Sequence, residues 1–139
     1  MRAHQAAKAA VKKVNPDLKV GIPLSLHDIQ PVDGEEERAR QEWEEEFLHY
    51  LPYIREDDFF GLLDYTRTIM GSEGNRPAPK RAELTQMDYE FNPQALGHVI
   101  RAVNSGLSNP ILITENGIGT DDDPRRIAFI KEALNGVKE

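Results

Sequence analysis

The sequence predicts a parallel α/β fold in which three strands alternate with helices. Segments with the 3.6-residue period of an amphipathic helix alternate with short apolar segments that have the length and composition of strands. The order is one helix followed by three strand–helix units, which is typical of a parallel sheet with right-handed crossovers. The 139 residues are enough for one domain with a buried core.

The first helix and strand follow from residues 2–26. Residues 2–14 are rich in Ala and Lys, which favour helix, and Asn15-Pro16 ends that helix. Apolar residues alternate between 18 and 26 and predict the first strand. Pro23 favours an edge position for this strand, because proline has no N–H to donate. Residues 27–34 contain Asp, Pro and Gly and are expected to form a loop.

The middle of the chain predicts a second helix, a second strand and a long loop. Seven glutamates between Glu35 and Glu46 indicate a solvated helix face. Residues 58–66 are apolar and aromatic and predict the second strand. Residues 71–88 contain two Gly and two Pro and are expected to form a loop. The second helix, residues 35–54, has apolar residues every three or four positions: Ala39, Trp43, Phe47, Tyr50 and Ile54.

The last third predicts a third helix, a third strand and a fourth helix. The third helix begins near Pro93 and ends at Gly106, with Leu96, Val99, Ile100 and Val103 as its buried stripe. Residues 110–114 are apolar enough to predict a strand covered on both faces. Asp123 and Pro124 are expected at the N-cap and first position of the last helix. Its predicted apolar face consists of Ile127, Ile130, Leu134 and Val137.

Composition argues against several classes of partner. The net charge of −7 repels phosphate backbones and gives no attraction to anionic membranes, so neither nucleic acid nor membrane is an expected partner. The chain has no cysteine, no apolar run of about 18 residues and no signal-peptide-like N-terminus. These features predict a cytoplasmic protein.

Glu115 is the candidate for chemistry, because it directly follows the third predicted strand. Functional residues of parallel sheets lie at the carboxyl ends of strands, and Gly117 permits the chain to turn sharply away. A carboxylate anchored there suits a nucleophile. A glutamate that only caps a loop has the same spacing, so the spacing alone leaves both interpretations open.

The segment around Glu115 resembles the nucleophile motif of glycoside hydrolase family 1, whose members include bacterial β-glucosidases. The motif, I/V-T-E-N-G, matches Pro110 to Gly117. The resemblance extends through essentially the whole chain in the order of the family. The other similar segments are Ala3-His4, Lys19–Ile22, Asp58–Leu62 with Tyr65–Arg67, Met87–Leu96 and Asp121–Ile127.

The resemblance implies that residues 1–139 form part of a family 1 catalytic domain. The implied fold is a βαβαβα sector, strands five to seven, of an incomplete TIM (β/α)8 barrel. It also implies that Glu115 is the nucleophile of a retaining β-glycosidase, and that the Tyr65 hydroxyl orients it. No cofactor or metal is implied, because this chemistry uses carboxyl groups only. A β-glycoside is the expected substrate if the barrel is completed.

Several positions depart from the family pattern. Leu63 replaces an amide that organises the sugar site, and Asp88 replaces a common glycine. Asp64 adds a carboxylate that is expected to raise the pKa of Glu115 through like-charge repulsion. The N-E-P motif that carries the general acid/base glutamate is absent, as are the early and final strands. The isolated chain is therefore expected to hydrolyse glycosides poorly or not at all.

Other interpretations are weaker. A non-catalytic α/β interaction module derived from a barrel sector is the main alternative. In either case the exposed sheet edges predict self-association or a complementing barrel chain. A phosphate-binding domain is disfavoured, because Asp121, Asp122 and Asp123 precede the last helix and repel phosphate. Capping suits these aspartates better than Ca²⁺ binding. The four histidines lack metal-ligand spacing and are expected to be structural.

Overall fold

A computed structural model describes residues 1–138 of the chain. It contains helices and strands in mixed order, with a 3-10 turn, Leu48–Tyr50, inside the second helical region. The helices are α1 (Arg2–Val14), α2 (Glu36–Glu46), α3 (Leu51–Ile54), α4 (Ala95–Gly106) and α5 (Asp123–Lys138). The strands are β1 (Pro23–Ser25), β2 (Asp28–Pro31), β3 (Phe60–Leu63), β4 (Arg67–Gly71), β5 (Gly74–Arg76) and β6 (Ile111–Glu115).

The main sheet has three parallel strands in the order β1-β3-β6, so β3 is central. Residues that alternate along each strand point to one side and join a single core with α2 to α5. The predicted α/β class with a parallel sheet is confirmed, and the sheet does not close into a barrel within residues 1–138. The buried core contains Leu26, Phe47, Leu51, Ile54, Phe60, Leu62, Leu96, Val99, Val103, Leu107, Phe129 and Ala133.

The predicted strand bounds were too generous, and the predicted loops contain strands. The first strand spans three residues, with Pro23 in an edge strand, and the second spans four. Residues 27–34 were expected to form a loop but contain β2, which pairs in parallel with β4. β4 and β5 then form an antiparallel hairpin that extends into residues 71–88. These strands are short and half-exposed, so they lack the apolar alternation that identifies a strand from sequence.

The continuous helix predicted over residues 35–54 is wrong. It is divided into α2, the 3-10 turn and α3, although Phe47 and Ile54 are buried as expected. Pro52 explains the division, because its ring lacks an N–H and clashes with the carbonyl of residue 48 in a regular helix. Phe47 has φ −136°, and this break redirects the chain toward β3.

The predicted apolar face of the last helix is also wrong. Phe129 and Ala133 are the buried residues of α5. The predicted N-cap is wrong by one residue, because Asp122 Oδ1 accepts the N–H of Arg125 at 3.2 Å. The four residues predicted to be buried are instead exposed: Ile127 by 64%, Ile130 by 40%, Leu134 by 54% and Val137 by 42%.

The third strand is covered on one face only. Ile111 and Ile113 pack against the core, whereas Leu112 is 52% exposed on the opposite face. The expectation that β6 is covered on both faces is therefore wrong for the described residues. The outer side of α5 carries a separate row of exposed apolar side chains. We call the set Ile127, Ile130, Leu134 and Val137 the α5 flank.

α4 and α5 approach closely through two glycines. A Cβ placed on Gly97 would lie 2.5 Å from the carbonyl oxygen of Gly136, so no larger residue fits at position 97. This contact allows α5 to pack closely against α4.

Candidate active site

Glu115 is the last residue of β6 and lies exposed at the carboxyl end of the parallel sheet. A β-bulge precedes it: Leu62 pairs with Ile113, but Leu63 pairs with Glu115. Thr114 is the extra residue, and its hydroxyl donates to the Leu62 carbonyl at 3.1 Å. Bulges re-aim the side chain that follows them. The bulge therefore gives Glu115 a direction that regular pairing would not.

Tyr65 lies two residues beyond β3, and its hydroxyl donates a hydrogen bond to Glu115 Oε2. The contact joins the ends of two adjacent strands across 50 residues of sequence. This hydrogen bond is the main cause that raises the pKa of Tyr65 to about 12, because the carboxylate stabilises the neutral phenol. Tyr65 is the only hydrogen-bond partner of the Glu115 carboxylate among residues 1–138.

Asn116 and Gly117 turn the chain out of β6. The Asn116 side-chain amide donates to the carbonyl of Asp64 at 2.8 Å, and the Asp64 N–H donates to the carbonyl of Glu115 at 3.2 Å. Gly117 has φ +148°, which a residue with a Cβ rarely adopts. The T-E-N-G segment therefore acts as a unit: the amide ties the turn to β3, and the glycine permits it.

Asp64 differs from the sequence-based expectation. Its carboxyl is buried, with both oxygens lacking a hydrogen-bond partner in the described chain. Burial raises the pKa of Asp64 to about 7, opposed by His27 and reinforced by Asp28. The like-charge repulsion of Glu115 expected from this residue stays a prediction. The Asp64 side chain itself is enclosed near His27 and Asp28.

A cavity of about 480 Å³ opens beside Tyr65. A tight turn forms one wall, in which the Thr85 N–H donates to the Tyr89 carbonyl at 2.8 Å. Asp88 stands in this turn with φ +59°, which explains why a glycine suits the same position in the family pattern. Among the residues that line this cavity, only Tyr65 was predicted as a site residue. The other lining residues are Thr85, Met87, Tyr89, Asn116, Gly117, Ile118 and Gly119. Half-exposed Met87 and Tyr89 were the available signal, since apolar residues in a loop indicate a binding surface.

A polar network holds this turn against the sheet. Arg67 binds both carboxylate oxygens of Glu90 at 2.8 Å and donates to Gln30 Oε1 at 2.7 Å. The Thr66 hydroxyl donates to the Glu90 carbonyl at 2.9 Å. A bidentate arginine–carboxylate pair fixes orientation as well as distance. The two residues that follow Tyr65 thus hold the turn that forms the cavity wall.

The histidines and the aspartates before α5 make ordinary structural contacts. Three histidines pair with carboxylates: His4 with Asp57, His27 with Glu46 and His98 with Asp28, at 2.7–2.8 Å. No group of three or more His, Asp or Glu in residues 1–138 is arranged to hold a metal ion. No helix within the same range is long and apolar enough to cross a membrane.

Solved structures similar to this chain are β-glycosidases and β-glucosidases. β-Glycosidase BGL167 is 42% identical over 97% of this chain and 32% of its own, with a TM-score of 0.90. A structure described as β-glucosidase 1317 is 34% identical over 98% of this chain and 33% of its own, with a TM-score of 0.85. The family 1 β-glucosidase from Thermotoga maritima shares the fold at 21% identity, over 98% and 40% of the two chains, with a TM-score of 0.81.

The chain therefore has the fold of a β-glucosidase barrel sector, and the predicted resemblance to family 1 β-glucosidases is confirmed. It spans about a third of the length of the two most identical chains named above. No protein-family profile and no curated protein matches it. The catalytic roles of Glu115 and Tyr65 stay predictions, now with a defined contact between the two side chains.

The Tyr65–Glu115 contact predicts a late-ionising tyrosine. Tyr65 is expected to ionise only at strongly alkaline pH, because its phenol proton is held by a carboxylate that raises its pKa to about 12. Glu115→Gln removes the charge and should lower the pKa of Tyr65 toward the ordinary 10. Absorbance of tyrosinate at alkaline pH measures this, with exposed Glu132→Gln as control. Identical titrations of Glu115→Gln and the parent protein would contradict the contact.

Proposed function

We propose that this chain is the nucleophile-bearing sector of a retaining β-glycosidase of the β-glucosidase type. The observation that carries the proposal is Glu115 at the carboxyl end of a parallel strand, oriented by Tyr65 beside a cavity of about 480 Å³. Identity of 42% to a β-glycosidase over nearly the whole chain supports the same conclusion. The proposal concerns hydrolysis of O-glycosidic bonds, with residues 1–139 as part of the catalytic domain.

Glu115 would act as the attacking group. One carboxylate oxygen bonds to the anomeric carbon while the glycosidic oxygen leaves with a proton, which gives a covalent glycosyl–enzyme; water then releases the sugar with net retention. Tyr65 donates to Oε2 and leaves the other oxygen, Oε1, without a hydrogen bond in the described chain. Oε1 is therefore the oxygen available for attack.

The proton donor has to come from outside this chain. Retaining hydrolysis needs a second carboxyl about 5 Å from the first. The sequence has no N-E-P segment, and Asp64, the nearest carboxylate in sequence to Tyr65, is buried. The sector thus supplies the nucleophile and its orienting phenol, and another barrel sector supplies the acid/base group. The isolated chain is expected to be inactive for this reason.

Glu115→Gln tests the catalytic role in a completed barrel. The chain replaces the matching third of β-glycosidase BGL167, and hydrolysis of an aryl β-glucoside is measured. We expect turnover by the chimera and a loss of at least about a thousandfold in Glu115→Gln, because the amide cannot form the covalent intermediate. Glu115→Gly should regain activity with azide, which replaces the carboxylate as nucleophile.

Exposed Glu132→Gln serves as the matched control and should retain the activity of the chimera. A Glu115→Gln chimera that keeps most of its activity would contradict the proposal. A folded chimera without any turnover would contradict it too, and would favour the non-catalytic interaction module.

The α5 flank is the proposed docking surface for a complementing barrel chain. The similar β-glycosidase continues for about two thirds of its length beyond the part that this chain matches. A strand added beside β6 would satisfy the unpaired strand edge, and its helix would cover Ile130 and Leu134. Self-association is the competing outcome. A cytoplasmic location stays a prediction.

Leu134→Lys tests the docking surface. The side chain is 54% exposed, so the substitution should change the thermal stability of the isolated chain little. The parent chain, mixed with the remaining two thirds of BGL167, should form an active complex. The Leu134→Lys chain in the same mixture should give at least about tenfold less activity. Lys131→Gln on the same helix is the control. Equal activity with the parent, Leu134→Lys and Lys131→Gln chains would contradict the α5 flank as the docking surface. A dimer formed by the parent chain alone and lost in Leu134→Lys would indicate self-association instead.

A further inference from the structure

Asp64 is the one buried side chain in residues 1–138 whose polar atoms have no hydrogen-bond partner. The residue is 1% exposed, and both carboxylate oxygens are unpartnered. A buried ionised carboxylate normally has donors or a cation beside it, because desolvation of an unpaired charge is costly. A neutral carboxyl in this place needs far less compensation.

The backbone of Asp64 holds the Glu115 turn from both sides. Its N–H donates to the Glu115 carbonyl at 3.2 Å, and its carbonyl accepts the Asn116 side-chain amide at 2.8 Å. The next residue, Tyr65, donates to the Glu115 carboxylate. Two successive residues thus make three contacts with the nucleophile segment, and two of the three are made by the backbone of Asp64 itself.

We propose that Asp64 is a positioning residue: buried in its neutral form, it holds Tyr65 against Glu115, and its ionisation releases that pair. The effect on catalysis rests on the function proposed above, whereas the effect on the geometry of Tyr65 and Glu115 does not.

The surroundings explain why ionisation would move the segment. His27 is the nearby cation, but its Nδ1 already binds Glu46 at 2.8 Å. Asp28, which repels an Asp64 carboxylate, is itself held by His98 and Gln30. An ionised Asp64 must therefore draw His27 away from Glu46 or turn toward water. Either movement displaces the backbone that binds Glu115 and Asn116.

The pH range and its sign follow from burial. The pKa of Asp64 is raised from 3.8 to about 7, so the folded state holds its proton more tightly than the unfolded state. Stability from this group is therefore greatest below pH 3.8, falls between 3.8 and about 7, and is constant above. The Tyr65–Glu115 pair should be tight at mildly acidic pH and loosened above neutrality.

Nuclear magnetic resonance between pH 3 and 9 tests the proposal without an activity assay. The Asp64 carboxyl carbon should titrate near pH 7, and the Tyr65 amide and Asn116 side-chain amide signals should follow the same curve. Asp64→Asn, which has the same shape but no charge, should abolish this shared transition. It should also reduce the decrease in Tm that the parent chain shows as the pH rises. Asp33→Asn, at an exposed position between β2 and α2, is the control and should leave the transition unchanged.

Two results would overturn the proposal: an Asp64 carbon that titrates near 4, or Tyr65 and Asn116 signals that ignore its titration. In the BGL167 chimera, Asp64→Asn should remove the alkaline fall in kcat that follows the same curve. A normal Asp64 transition in a chimera without turnover would refute the proposed function and leave the positioning role intact. Turnover by a chimera that lacks the Asp64 transition would support the proposed function and refute the positioning role.

Discussion

The parallel pairing of β3 with β6 is the interaction on which the site depends. β3 is the central strand, and its carboxyl end carries Leu63, Asp64 and Tyr65 beside the end of β6. The bulge at Thr114 shifts the register by one residue, so Glu115 lies opposite Leu63. Without that shift the Glu115 side chain would point to the opposite face of the sheet, away from the Tyr65 hydroxyl.

The same architecture accounts for what the chain lacks. A barrel sector covers one face of its sheet with helices and leaves the other face and both edges to neighbouring sectors. β6 and α5 carry exposed apolar side chains of the kind that neighbouring sectors cover in a closed barrel. Under the function proposed above, the proton donor would come from such a neighbouring sector as well.

Sequence predicted the elements that depend on a local period and missed those that depend on context. The stripe of α4 and the position of Glu115 at a strand end follow from apolar spacing. The buried side of α5 does not, because both of its faces are apolar and the choice is made by the packing of Gly97 on Gly136. β2 and β4 are half-exposed strands whose pairing is set by residues far away in sequence.

The site shows the same division. The family resemblance identified Glu115 and Tyr65, and the structure brings them into contact. The cavity wall at Met87 and Tyr89 arises from a turn with one left-handed residue, and Asp64 is buried near His27 and Asp28, which are distant in sequence. Apolar residues in a loop were the only local signal of the wall, and the burial of Asp64 has no local signal, so neither was predicted.

Covalent trapping is the most direct measurement of the central claim. The BGL167 chimera is treated with an aryl 2-deoxy-2-fluoro-β-glucoside, which slows release of the glycosyl–enzyme, and the labelled peptide is identified by mass spectrometry. The account predicts one sugar attached to the carboxylate of Glu115. A label on any other residue, or continued turnover with Glu115 unmodified, would contradict it.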